Sequence, residues 1–283
     1  MVIDIHAHTF PDRIAPIAID KLKKAGGIHP FSDGTVGGLK ASMQRAGIDY
    51  SVVLPVATNP LKAGSMNDLS MQMTGKEGLI YFGCIHPDTP HACRELERIA
   101  RGGLSGIKIH PVYQDVDIDD ARFLRILEKA GELGLIVLMH AGDDIGFPGV
   151  VRCSPEMTAR AVMQAGPVKL VCAHMGGWEN WERVADCLAH TSVMLDTAYC
   201  LGDITPLEPD IPLEERKQML DAERFCRLVD AFGAERILFG TDTPWSDQAS
   251  YLARIRALPI GEDDMQSILC GNAARLLGLQ KRV

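Results

Sequence analysis

A chain of 283 residues, 46% hydrophobic and 23% charged, has an ordinary globular composition and enough length to bury a large core. Its net charge of −8 and the absence of like-charge runs argue against a nucleic-acid surface, which needs clustered lysine and arginine. No apolar stretch approaches the roughly 20 residues of a membrane span, and no basic segment leads into an apolar one at the N-terminus, so neither an anchor nor a signal peptide is expected. The eight cysteines are scattered without a C-x-x-C pair, which reads as reduced thiols of a cytoplasmic protein.

In chain order, strand-like apolar runs alternate with amphipathic helical stretches. The first strand leads into Val2-Ile3-Asp4-Ile5-His6-Ala7-His8. Helices follow over 14–25, stopped by Gly26-Gly27, and over 38–46, closed by Gly47. Strand two covers 50–54 and a helix 67–73. Strand three covers 79–85, a helix 92–100, strand four 106–111 and a helix 120–133. After strand five (135–140), Ser154-Pro155-Glu156 reads as an N-cap, a first-turn proline and a first-turn acid. Strand six covers 169–174, a helix 178–189, strand seven 193–196 and strand eight 236–240. Helices over 248–258 and 263–277 close the chain. Eight strands separated mostly by helices predict parallel pairing, and near-continuous apolar strands predict burial on both faces. The expected fold is α/β, a single (β/α)8 TIM barrel over 1–283. Residues 198–221, rich in proline and acid, exceed a normal βα loop; they read as a lid, a subunit contact or a surface insertion.

Six of the nine histidines, His6, His8, His86, His110, His140 and His174, fall at the C-terminal ends of predicted strands. In a barrel those ends form the rim that carries active sites. His6 and His8 stand at i and i+2 of a strand, so both rings point one way, a spacing that suits a divalent metal. Asp242 ends strand eight, which a closed barrel places beside strand one; there it either binds metal and takes a proton from water or caps the Thr-Asp-Thr-Pro turn.

These motifs resemble the amidohydrolase superfamily, in its amidohydrolase-related branch of TIM-barrel hydrolases, decarboxylases and hydratases. The matching stretches are Ile3-Asp4-Ile5-His6-Ala7-His8, Gly106-Ile107-Lys108-Ile109-His110-Pro111, His140, Ala173-His174-Met175-Gly176-Gly177 and Phe239-Gly240-Thr241-Asp242-Thr243-Pro244. The closing Leu269-Cys270-Gly271-Asn272-Ala273-Ala274-Arg275-Leu276-Leu277 also matches. The resemblance implies that His6, His8, His140 and Asp242 hold a divalent metal, zinc or alternatively manganese. It implies that His174 lies close to the metal and helps to activate water or polarise substrate. Lys108 matches a position where some relatives carry a carbamylated lysine bridging two metals. With His110 on the same strand, the expectation here is one metal and an unmodified Lys108 that contacts substrate or a carboxylate. His86 and His110 either face substrate or serve structure, and Trp178 and Trp245 either wall a pocket for a planar substrate or pack.

The leading expectation is a hydrolase acting through metal-activated water on a small cyclic amide, lactone or carboxylated substrate. Asp242 would be the base and His174 would support the charged intermediate. The alternative is a non-oxidative decarboxylase of a small unsaturated or aromatic acid, which strand-end arginines would favour; Arg13 and Arg152 lie in suitable loops. A TatD-type nuclease would carry a glutamate motif in its middle strands, and this chain has Lys108 and His110 there instead. A non-catalytic, zinc-containing ligand-binding barrel would show a closed four-ligand site. The expected partner is a small-molecule substrate, with a homo-oligomer allowed.

Overall fold

The computed structural model describes residues 1–208 and 219–279. The order is β1 (Ile3–Ala7), α1 (Ala15–Gly26), α2 (Val36–Ala46), β2 (Tyr50–Val53), α3 (Ala63–Met73), β3 (Leu79–Tyr81) and β4 (Gly83–Cys84). Then come α4 (Ala92–Arg101), β5 (Gly106–Ile109), α5 (Pro111–Gln114), α6 (Ala121–Glu132), β6 (Ile136–Met139), α7 (Pro155–Ala165) and β7 (Lys169–Cys172). The last are α8 (Trp181–Leu188), β8 (Met194–Asp196), α9 (Ala222–Phe232), β9 (Ile237–Leu238), α10 (Gln248–Arg256), α11 (Glu262–Gln266) and α12 (Asn272–Leu277).

All ladders among these strands are parallel, in the order β1-β2-β3 and β4 through β9. β3 and β4 are halves of one stave: Phe82 between them donates its N–H to Val53, and β4 pairs onward with β5. The ring closes between last and first staves through Ile5 N to Phe239 O and Asp242 N to His6 O, both 2.8 Å. His8 N also donates to Thr243 O at 2.8 Å. Eight staves therefore form a closed barrel with helices outside.

Two apolar layers follow. Ile3, Ile5, Val52, Leu54, Phe82, Ile136, Leu138, Val171 and Leu238 fill the lumen, which Ala273 and Ala274 of α12 plug below. The alternate stave positions, such as Val53, Ile107, Ile109, Val137 and Met139, face the helices instead and pack with Leu39, Leu96, Phe123, Ile126 and Phe225. Each fully buried side chain of this size contributes about 1.5–3 kcal/mol of burial free energy. Asn272 locks the plug by donating to the carbonyls of Ala234 and Ile237, each at 2.7 Å.

The caps follow the residue chemistry. Ser154 accepts from Met157 N with Pro155 in the first turn of α7, and Gly27 and Gly47 end α1 and α2 in the left-handed region. Helix α9 lies outside the helices expected from sequence, although Asp221 caps it and Phe225, Leu228, Val229 and Phe232 give it a helical apolar stripe. The short turn α5, which follows His110, is also additional. Of the 198–221 segment, residues 209–218 lie outside the described part. On either side of them, Leu207 N donates to Gly27 O at 2.8 Å and Leu220 N to Cys200 O at 2.8 Å. No helix of the described residues is long and apolar enough to cross a membrane.

Gly142, two residues past His140, has φ +88°, and a Cβ there would sit 2.2 Å from Trp178 N. Since backbone cannot move aside, Gly142→Ala should destabilise the fold by about 1–3 kcal/mol. A thermal unfolding midpoint equal to that of the unaltered protein would contradict the close approach.

Candidate metal centre

β1 is not a regular strand. Asp4 pairs with Ser51 and Ala7 with Val53, so three steps on β1 oppose two on β2. The extra residue is a β-bulge, a device that re-aims side chains. Ile5 already faces the lumen, and the bulge turns His6 there as well. His6 and His8 share a side by i, i+2 alternation, with Ala7 between them facing the helices, and the bulge is what turns that side to the lumen.

The rings are held by their far nitrogens. His6 Nδ1 lies 2.8 Å from Asp196 Oδ2 and His8 Nδ1 2.7 Å from the Leu54 carbonyl. A carboxylate and a carbonyl only accept, so each Nδ1 carries the proton and a neutral ring presents Nε2 bare. The two Nε2 atoms stand 3.1 Å apart, and Asp242 Oδ1 lies 3.5 Å from His6 Nε2 and 3.2 Å from His8 Nε2. With both rings in this tautomer, three lone pairs converge on one point. Donors at about 2.0–2.1 Å in a tetrahedron stand about 3.3–3.4 Å from one another, so the spacing suits a zinc-sized cation. The two rings meet at 70°, which lets their in-plane lone pairs cross. The residues present fit a divalent ion.

Lys108 reaches the same point, with Nζ 3.2 Å from His6 Nε2. Burial pulls its ammonium down to about 8, against the pull of Asp196 and Asp242. Burial also holds His6 well below the usual histidine value, helped by the Lys108 charge. Asp196 shifts upward through burial, opposed by His174 and Lys108. His174 Nδ1 donates to Ala198 O at 2.8 Å, so its Nε2 also faces inward bare, 3.1 Å from His140 Nδ1.

His140 stands in a second cluster. Its ring stacks on His110 at 4.0 Å and 9°, and His110 stacks on Tyr113 at 3.7 Å. His110, His140 and Asp144 come within metal-ligand range of one another. This group is a poorer cage. His110 Nδ1 accepts from Tyr113 N, so its Nε2 carries the proton and points at Asp144 Oδ2, 3.5 Å away. Two parallel rings also cannot aim in-plane lone pairs at one ion. Burial keeps both histidines well below their usual value.

Of the residues singled out by sequence, His6, His8 and Asp242 meet at one point with Lys108, and His174 and His140 border it. His110 lies beyond His140. His86 Nδ1 accepts from Asp88 N and shapes its own turn. Trp178 is buried, its indole donating to Tyr199 O, while Trp245 is half-buried and its backbone N–H donates to Asp242 O. Asp196, Asp144 and Tyr113 were not anticipated as site residues. Asp196 ends strand seven as Asp242 ends strand eight, and that position was the available signal. Clefts of about 370 and 420 Å3 lie elsewhere, beside Arg94 and Arg125 and beside Lys169 and Leu276, and neither gathers a comparable donor set.

The amidohydrolase family model matches residues 3–279. The chain belongs to the amidohydrolase family. A comparison with curated proteins gives no match. Among solved structures, the 5-carboxyvanillate decarboxylase of Sphingomonas paucimobilis is similar over 99% of each chain, at 18% identity and TM-score 0.68. A TIM-barrel protein of Bordetella bronchiseptica is similar over 98% of each chain, at 20% identity and TM-score 0.76. A dihydroxybenzoic acid decarboxylase of Polaromonas, solved with bound manganese and the inhibitor 2-nitroresorcinol, covers 98% of this chain and 97% of its own, at 15% identity and TM-score 0.67. At these identities the likeness shows the fold, and it agrees with the closed barrel described above. In this amidohydrolase the candidate ion ligands come from the first and last staves, and the carboxylate that orients His6 comes from the stave between β7 and β9.

Proposed function

We propose that this amidohydrolase is a metal-dependent hydrolase of a small cyclic amide, lactone or carboxylated substrate. The observation that carries this is the meeting of His6 Nε2, His8 Nε2 and Asp242 Oδ1 within 3.5 Å of one another. These three residues would hold the ion, zinc or manganese, with His140 as the further donor that the family resemblance implies. The triad alone leaves a tetrahedral position open, as catalytic sites do, and with His140 added the ion would take water or substrate as a fifth donor. When bound, a divalent ion supplies Lewis acidity, which polarises a substrate oxygen and acidifies water near neutral pH.

The chain's own groups do the rest. Asp196 and Leu54 O fix the tautomers of His6 and His8. Asp242 turns one oxygen to the ligand point and takes a proton from water. The bare Nε2 of His174 is a second acceptor beside it. His110, Tyr113 and the exposed Phe147, whose ring lies 5.4 Å from Tyr113, form an aromatic edge suited to a planar substrate, with Trp245 beside Asp242.

Decarboxylation of an unsaturated or aromatic acid is the second reading, favoured by the decarboxylases among the structural neighbours. The arginines that would grip a carboxylate argue for the first. Arg152 is engaged with Asp115 and Asp117 at 2.5 and 2.9 Å, and Arg13 is exposed. Lys108 is then the cation at the centre available to a carboxylate. Purified protein should carry about one zinc or manganese per chain and open a lactone or cyclic amide ring without releasing carbon dioxide. Stoichiometric carbon dioxide from a carboxylated aromatic would reverse the order. Full activity after exhaustive chelation would sink both, and metal without turnover on any such substrate would leave a binding barrel.

A further inference from the structure

Asp4 is fully buried and takes no part in the lumen. Its carboxylate points outward, into the layer between staves and helices, where Gln248 of α10 donates to Oδ2 at 2.7 Å and also approaches Ser51. It accepts three further hydrogen bonds. His6 N and Thr241 N each reach Oδ1 at 3.0 Å, and the Thr241 hydroxyl reaches Oδ2 at 2.6 Å.

Each of these contacts fixes part of the ligand set. The His6 N–H lies within the β1 bulge, where regular pairing is lost, and Asp4 gives it an acceptor. Thr241 precedes Asp242, and its Oγ1 accepts in turn from Thr243 N at 3.2 Å. Asp4 therefore brackets Asp242 on both sides. Asp242 needs this bracket, because its φ of +62° lies in the left-handed region that a non-glycine residue keeps only where its surroundings hold it.

Resting on the metal reading above, we propose that Asp4 is the positioning residue of this centre: one carboxylate, outside the lumen, sets both the bulge that aims His6 and the backbone that aims Asp242. It touches neither ion nor substrate and acts through His6 N, Thr241 and Thr243.

Asp4→Asn tests this. Oδ1 holds two backbone N–H groups, so the amide oxygen stays there and the new N–H2 falls where Thr241 Oγ1 and Gln248 Nε2 both need an acceptor. Thr241→Val removes only the hydroxyl link. Cobalt(II), titrated into metal-free protein and followed by its visible absorption, reads the ligand set without reference to turnover, and thermal unfolding on the same samples reads the fold. The unaltered protein should bind about one cobalt per chain. Folded Asp4→Asn should bind it roughly 10–100-fold more weakly, Thr241→Val should shift the same way, and the double variant should add little to the stronger single one. Wild-type cobalt affinity in folded Asp4→Asn, or lower stability with unchanged affinity, overturns the proposal. Should Asp4→Asn not fold, wild-type affinity in Thr241→Val overturns it, and weakened affinity supports it. Failure of the unaltered protein to bind cobalt overturns the metal centre itself, and the proposal with it.

Discussion

Replacing Asp196 by asparagine is expected to weaken divalent-metal binding roughly 10–100-fold while leaving the barrel folded. The geometry allows the amide no escape. Asp196 Oδ1 accepts from His174 N at 2.9 Å and Ala198 N at 3.0 Å, so the asparagine oxygen must remain on that side. Its N–H2 then faces His6 Nδ1, where Oδ2 had been 2.8 Å away. Two donors cannot meet, so His6 moves its proton to Nε2 and points N–H at the place where His8 and Asp242 converge. Chelator competition gives the affinity, and circular dichroism checks the fold. Unchanged metal affinity in a folded Asp196→Asn protein would show that the His6 tautomer is not set this way.

Asp242→Asn is expected to act on turnover more than on metal. The amide keeps the shape and one oxygen for the ion, whereas the base is lost. Positioned acid–base groups contribute roughly 10²–10⁴-fold, and a loss of that order is expected on whichever substrate screening identifies. Metal content should fall much less. A purely structural role predicts the opposite pattern, with lower stability and normal activity per folded molecule. Turnover, metal content and unfolding midpoint measured on one preparation separate the two, and wild-type turnover would refute the assignment of Asp242 as base.

The barrel was legible because its signal is repeated. A buried parallel stave such as 136–139 is apolar on both faces, and residues such as Gly47 and Ser154 punctuate the helices between staves. Helix α9 carried the same signals and went unread beside the proline- and acid-rich stretch before it. The candidate ligand histidines stood out by position, at stave ends. What could not be read was anything decided by a partner distant in sequence. The bulge at His6 depends on how β1 pairs with β2, and the tautomers depend on Asp196, Leu54 O and Ala198 O. The grouping of His140 with His110 rather than with the triad depends on ring stacking across neighbouring staves. Alternation put His6 and His8 on one side, and the bulge, invisible in sequence, made that side the lumen, since a regular strand would have sent His6 outward with Asp4.

The first and last staves carry the ligand point, and the contacts that hold it, such as Asp4 to Thr241, join residues 237 positions apart. Such contacts carry a large loop-closure entropy cost. A chain emerging in order from the ribosome therefore presents His6 and His8 long before Asp242 exists to meet them. An ion that requires all three stabilises only the sealed ring, by an amount that grows with its concentration over its dissociation constant. Metal uptake by this amidohydrolase would then be coupled to closure of the ring.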